Sequence, residues 1–245
     1  MPSSPPSIPE PERHDETPFE DAATVQPAAG PSPAALSLTL LVLAAAAVSL
    51  NLRPIATSIG PVLEEIQSGL GASSAVAGIL TALPGLIFGL AGLTAVGVAR
   101  RFGLVGTICG GLVLVGAAGL VRSVTDSAAV FLVVTALALA GMGLGNVLVP
   151  AVIKRYSGDR TAAVTSVYTV VLGLGSALPM FATAPLLTLG AEGAGWRYAL
   201  GTWAVVALLA ATIWAVLLMR VRGRDHGVGE RATGLPIHRS RTAVA

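Results

Sequence analysis

The chain has 245 residues, 53% of them hydrophobic and only 11% charged, with a mean hydropathy of +0.78. Soluble domains carry about 25% charged residues, so this composition excludes an ordinary water-soluble fold and predicts an all-α polytopic membrane protein. The formal charge of +2 sums two segregated signs, and the single cysteine, Cys109, excludes a disulfide within the chain and leaves no metal-ligand spacing.

Residues 1–35 hold nine prolines and six acids between Glu10 and Asp21. Such a segment cannot bury enough apolar area to offset its ordering entropy and is expected to be a disordered cytoplasmic tail. It lacks the basic start of a secretory signal peptide. Uncharged stretches long enough to cross about 30 Å of hydrocarbon then recur six times, near 36–60, 74–98, 104–121, 128–152, 162–187 and 198–219. The first is interrupted by Arg53 and the fifth by Pro179 and Pro185. Glycines such as Gly85, Gly89 and Gly92, then Gly141, Gly143 and Gly145, are expected to serve close helix packing.

Arg53 interrupts the apolar run. An apolar run of fifteen residues, Leu36 to Leu50, precedes Asn51-Leu52-Arg53-Pro54, and the next charge is Glu64. An arginine at a helix centre costs roughly 2.5–3.5 kcal/mol on insertion scales, so it calls for a polar or anionic partner within the bilayer. Two alternatives stand beside a cavity-facing site: a guanidinium that reaches an interface along its own stem, and a purely structural buried pair. Pro54 disfavours α geometry at Arg53 and removes a backbone donor beside the charge.

Basic residues flank alternate loops: Arg100 and Arg101, then Lys154, Arg155 and Arg160, then Arg220, Arg222 and Arg224. The other loops hold Arg122 and Arg197 beside Glu64, Glu65, Asp126 and Glu192. The positive-inside rule then places both termini in the cytoplasm. Residues 220–245 read as a basic cytoplasmic tail. One lysine against fourteen arginines, amid abundant Ala, Gly and Val, points to a GC-rich bacterial coding sequence and hence to a bacterial inner membrane.

Laid on itself at an offset near 95, the chain matches Asn51 with Asn146 and Thr81-Ala82-Leu83-Pro84 with Ser176-Ala177-Leu178-Pro179, while Pro54 falls one residue from Pro150. Span one pairs with four and two with five. Three spans followed by three reverse the direction of the second unit, which is the inverted repeat of secondary transporters, with sites at the repeat interface.

Leu50-Asn51-Leu52-Arg53-Pro54, the run from Gly145 through Asn146 and Pro150 to Arg155, Ser166-Val167-Tyr168-Thr169 and Gly195-Trp196-Arg197-Tyr198-Ala199-Leu200 resemble the cyanate/nitroimidazole transporter family of the major facilitator superfamily. The resemblance covers residues 36–222 and implies one six-helix bundle of a twelve-span fold, the N-terminal half only. It further implies alternating-access transport with the site between two bundles. The superfamily's loop signature between spans two and three is partly kept: Gly92, Arg100 and Arg101 fit, but Val96, Gly97 and Ala99 replace its Asp, Arg and Gly. The remaining residues read as a positive-inside anchor and a tight turn.

The expected substrate-binding residues are Arg53, whose planar fork suits a small anion or polar planar solute, with Asn51, Asn146 and Tyr168 orienting it. For each of these three, interhelical hydrogen bonding is the competing role. No Asp, Glu or His lies deep in a span, so no proton carrier is apparent in this half. Metalloprotease, phosphate-loop and nucleophile-elbow motifs are absent, and no enzyme activity, cofactor, metal or nucleic-acid partner is expected. The expected partners are the lipid bilayer, a small solute, and a second copy or the missing six-helix half. The alternative function is a non-transporting six-helix membrane protein with an accessory or structural role, or an inactive fragment of a longer transporter.

Overall fold

The computed structural model describes residues 37–189 and 193–233, with side chains through Arg222. The tail expected at 1–35 and the last part of the basic tail, 234–245, lie outside the described residues. Among those described, the chain runs α1 (Leu38–Asn51), α2 (Pro54–Thr57), a 3-10 turn (Gly60–Val62), α3 (Leu63–Leu70), α4 (Ser74–Phe102), α5 (Leu104–Val124), α6 (Ala128–Tyr156), a second 3-10 turn (Gly158–Arg160), α7 (Thr161–Leu187) and α8 (Gly195–Thr233). Six segments are long and apolar enough to cross a membrane: Leu38–Thr57, Ser74–Phe102, Leu104–Val124, Ala128–Tyr156, Gly158–Leu187 and Gly195–Arg222. These are the six spans that hydropathy predicts.

Local chemistry sets the ends. Ser37 accepts a hydrogen bond from the Leu40 N–H and caps α1, and Ser127 caps α6 through the Val130 N–H. Between α4 and α5 the chain reverses at Gly103 alone, with φ +77°, a backbone conformation other residues rarely adopt.

Three features depart from the sequence expectation. Span five is not interrupted: α7 runs through Pro179 and Pro185, as α4 runs through Pro84 and α6 through Pro150. A proline removes one helical hydrogen bond, and a helix packed among others in a membrane tolerates that loss. The last helix continues past Met219 through the basic stretch to Thr233. A short amphipathic helix, α3, occupies what reads as a loop. It buries Ile66 beneath Phe131 and Trp196 and ends at Gly71 in the left-handed region.

The packing follows the expected two-fold repeat. α5 packs on both α6 and α8, α4 on α6, and α1 on α7 and α8. Exchanging spans one with four, two with five and three with six maps this set onto itself: the α1–α7 contact becomes α6–α4, α1–α8 becomes α6–α5, and α5–α8 is unchanged. Close approaches rest on small residues. A Cβ at Gly111 would stand 3.0 Å from the Gly141 carbonyl oxygen, and one at Gly119 would stand 2.8 Å from the Ala204 Cβ. The Trp214 indole N–H donates to the Ala44 carbonyl at 2.9 Å and ties α8 to α1.

Gly141, Gly143 and Gly145 thus sit at helix contacts, against Gly111, Ala91 and Leu52. Gly85, Gly89 and Gly92 do not: a Cβ at any of them would meet nothing within 4 Å in this chain. They lie on α4, which with α7 is the least buried of the six spans.

Candidate functional site

The break in the first span follows from Pro54. With no N–H, it cannot donate to the Leu50 carbonyl one turn back, and it pushes Arg53 out of the helix, to φ −128°. The Leu52 N–H closes back on the Ser49 carbonyl at 3.2 Å and ends α1. The Arg53 carbonyl then starts α2, accepting from the Ala56 and Thr57 N–H groups, each at 3.0 Å, and from the Thr57 hydroxyl at 3.1 Å.

Arg53 is half-buried at this break. Among the described residues its guanidinium makes no hydrogen bond or ion pair. Tyr168, half-buried on α7, packs against the core cluster that holds Leu52, the residue before Arg53. Among the described residues no hydrogen bond or ion pair joins any two of the four predicted residues.

Asn51 and Asn146 behave as a pair in a different way. Asn51 is 3% exposed and its amide nitrogen donates to the Ala47 carbonyl at 2.8 Å. Asn146 donates to the Met142 carbonyl at 3.2 Å. Each thus bonds one turn back on its own helix, at positions related by the 95-residue offset, rather than across to another helix. Two glycines let neighbouring helices close on the break. A Cβ at Gly145 would stand 2.6 Å from the Leu52 side chain, and one at Gly175 would stand 2.7 Å from the Leu50 carbonyl oxygen.

An open cavity of about 660 Å³ lies just beyond the break, among Ala56, Thr57 and Ile59, Leu80 and Thr81 of α4, and Met180 of α7. None of the four predicted residues lines it. The lining is mainly apolar, and the hydroxyls of Thr57 and Thr81 bond to carbonyls of their own helices. Arg53 and the cavity are thus neighbours along α2, not one site. Among the described residues no group of His, Cys, Asp or Glu is placed to hold a metal ion.

Arg122 is the residue that sequence reasoning missed. It reads as a loop charge, yet it lies in the last turn of α5 and is 0% exposed. Its Nη1 donates to the Ile55 carbonyl at 3.2 Å, and its guanidinium sits 5.8 Å from the centre of the Phe131 ring. Nε and Nη2 have no partner among the described residues. Ile55 is the second residue of α2, a helix so short that its last four carbonyls are all of its carbonyls, so Arg122 holds the segment that follows Arg53.

Next to it Arg197 serves the end of α5. It donates to the Ser123 and Thr125 carbonyls at 3.3 and 2.9 Å, pairs with Asp126, and stacks 4.4 Å from the Trp196 ring. Phe131 and Trp196 meet edge to face at 6.1 Å, so aromatic contacts link the two arginines. The signal available in sequence was only a charge followed four and nine residues later by Asp126 and Phe131.

Residues 33–242 match the family model described as Major Facilitator Superfamily. Over 178 residues the chain is 37% identical to an uncharacterized transporter, YycB, of Bacillus subtilis, covering 73% of this chain and 43% of that protein. It is 34% identical to a 2-nitroimidazole transporter and 30% identical to the cyanate transport protein CynX, both of Escherichia coli, covering 73% of this chain and 44% and 46% of theirs. The chain thus spans less than half the length of these curated relatives. Its fold is similar to that of the proton:xylose symporter XylE, with a TM-score of 0.64 at 16% identity, over 73% of this chain and 44% of the symporter.

Proposed function

Since the chain belongs to the major facilitator superfamily, we propose that it forms the N-terminal six-helix half of a carrier that moves a small anionic or polar planar solute by alternating access. One observation carries the reading: Arg53 stands at a helix break inside the first span, half-buried and without an anionic partner among the described residues. A guanidinium so placed binds a carboxylate-like or cyanate-like anion through its fork of donors. Asn146, its amide nitrogen engaged on its own helix, offers its oxygen to a donor on the solute, and Asn51, buried at the equivalent position of the repeat, orients the backbone before the break. The relatives named for cyanate and 2-nitroimidazole support this size class.

The facing half of the site comes from a second six-helix unit, either a second copy or the other six-helix half. α4 and α7 support this, since Leu93 is 83% exposed, Phe181 is 78% exposed, and Gly85, Gly89 and Gly92 pack on nothing within the chain. The basic ends of the spans face the cytoplasm of a bacterial cell, by the positive-inside rule. No catalytic role is assigned.

The test is uptake of labelled cyanate and of 2-nitroimidazole into vesicles containing the purified chain, with Arg53→Gln and Arg53→Lys beside it. Uptake that falls at least ten-fold in Arg53→Gln and returns in part in Arg53→Lys supports the reading. Uptake indifferent to both changes removes Arg53 from the site. A chain that moves no small anionic or polar solute, alone or with a second half supplied, fits the alternative reading instead, an accessory or structural protein or an inactive fragment.

A further inference from the structure

At the end of the bundle opposite α3, the residues with described side chains, which run through Arg222, include the cations Arg100, Arg101, Lys154, Arg155, Arg160, Arg220 and Arg222 against one acid, Asp159. Charge alone draws such a surface to anionic lipid headgroups, diffusely and without a fixed position. Two adjoining cavities make this surface more specific. One, of about 250 Å³, lies between the turn at Phe102–Gly106, Arg155 and Tyr156 of α6, and Val221 and Arg222 of α8. The other, of about 310 Å³, is an apolar groove past Gly106, Gly110, Gly111 and Leu114 of α5 and Leu144 of α6. They share Phe102, Gly106, Leu218 and Arg222 as walls, so they adjoin.

The dimensions fit one class of molecule. From Gly106 to Leu114 the α5 axis rises about 12 Å, close to the roughly 15 Å of hydrocarbon in one leaflet. A headgroup at the basic mouth and an acyl chain along the glycine side of α5 fill both spaces. We propose that the Arg155–Arg222 pocket and the adjoining α5 groove together bind one anionic phospholipid, its phosphate against the two arginines and its chain on Gly106 and Gly110. This assignment is independent of which solute the protein moves.

Gly110 makes the proposal separable from diffuse attraction. It is exposed, and a Cβ there meets nothing within 4 Å, so Gly110→Leu fills the groove without disturbing the bundle or removing a charge. The experiment measures phosphatidylglycerol and phosphatidylcholine retained by the whole detergent-solubilised chain, by native mass spectrometry, for the parent, Arg155→Gln/Arg222→Gln and Gly110→Leu. Thermal melts check that each variant is folded. Expected is one phosphatidylglycerol bound in preference to phosphatidylcholine. Affinity should fall about five-fold for each arginine removed, and again in Gly110→Leu, with added inorganic phosphate unable to compete. Equal binding of the two lipids, phosphatidylglycerol binding untouched by Gly110→Leu, or displacement by phosphate alone would each overturn it.

Discussion

Arg122 and Ile55, 67 residues apart, are joined by one hydrogen bond from a fully buried guanidinium to a backbone carbonyl at 3.2 Å. That bond connects the end of α5 to the short helix that begins just after Arg53. It places a second arginine, which no hydropathy window singles out, one short helix away from the first.

Arg122→Met separates stability from position. Burying a guanidinium costs several kcal/mol, and a single carbonyl acceptor with one aromatic face returns only about 2–4 kcal/mol of that. The variant should therefore keep or raise the thermal midpoint measured by tryptophan fluorescence in detergent. With Cys109→Ser as background, a cysteine placed at Thr57 should at the same time react faster with a maleimide, because α2 has lost its tether. A midpoint lowered by more than about 5 °C would mean that the guanidinium is satisfied in ways these contacts do not include.

Gly175→Ala and Gly89→Ala form a contrasting pair. The first sets a methyl group 2.7 Å from the Leu50 carbonyl oxygen, where only backbone movement can make room, and should cost about 1–3 kcal/mol. The second adds a methyl group to open space within the chain. It should leave the midpoint within about 0.5 kcal/mol of the parent, and any effect of a larger residue there should appear in assembly or uptake. Equal losses from both substitutions contradict the packing at the break.

Arg197→Ala should be more damaging than Asp126→Ala. Asp126 is 89% exposed, and its ion pair contributes below about 1 kcal/mol. Arg197 also satisfies two carbonyls at the end of α5, so its loss should cost about 1–3 kcal/mol. Urea or thermal melts of the two single variants measure the difference, and equal losses would assign the effect to the ion pair alone.

Arg53→Gln should not destabilise the fold. With no hydrogen bond or ion pair to lose among the described residues, the folded protein gives up an insertion cost and no protein contact. An unchanged or higher midpoint, alongside the uptake assay, assigns the residue to a ligand. A large fall assigns it to structure.

The spans were legible in sequence because each carries a long uncharged run, and the break was legible because Pro54 follows the only charge in its run. The pairing of Asn51 with Asn146 was legible through the repeat, and their identical back-bonds give it a physical meaning. Arg122 was not, since a charge near the end of an apolar run reads as an anchor, and only the approach of α2 and Phe131 buries it. Helix α3 left a faint signal, Leu63, Ile66 and Leu70 at i, i+3 and i+7, obscured by the two glutamates and by its brevity. The prolines of α7 misled because membrane packing, which sequence does not display, keeps a helix intact around them.

The packing of α1 against α7 also sets an order of events during synthesis. Leu50 meets Gly175, 125 residues later in the chain (175 minus 50), and at about 5–20 residues per second the ribosome needs roughly 6–25 s to supply it. For that interval the first span, with its arginine, enters the bilayer before the helices that enclose its break exist. Insertion of this protein therefore depends on something other than its own final neighbours holding that span in place, whether the translocation machinery or headgroups drawn to the guanidinium.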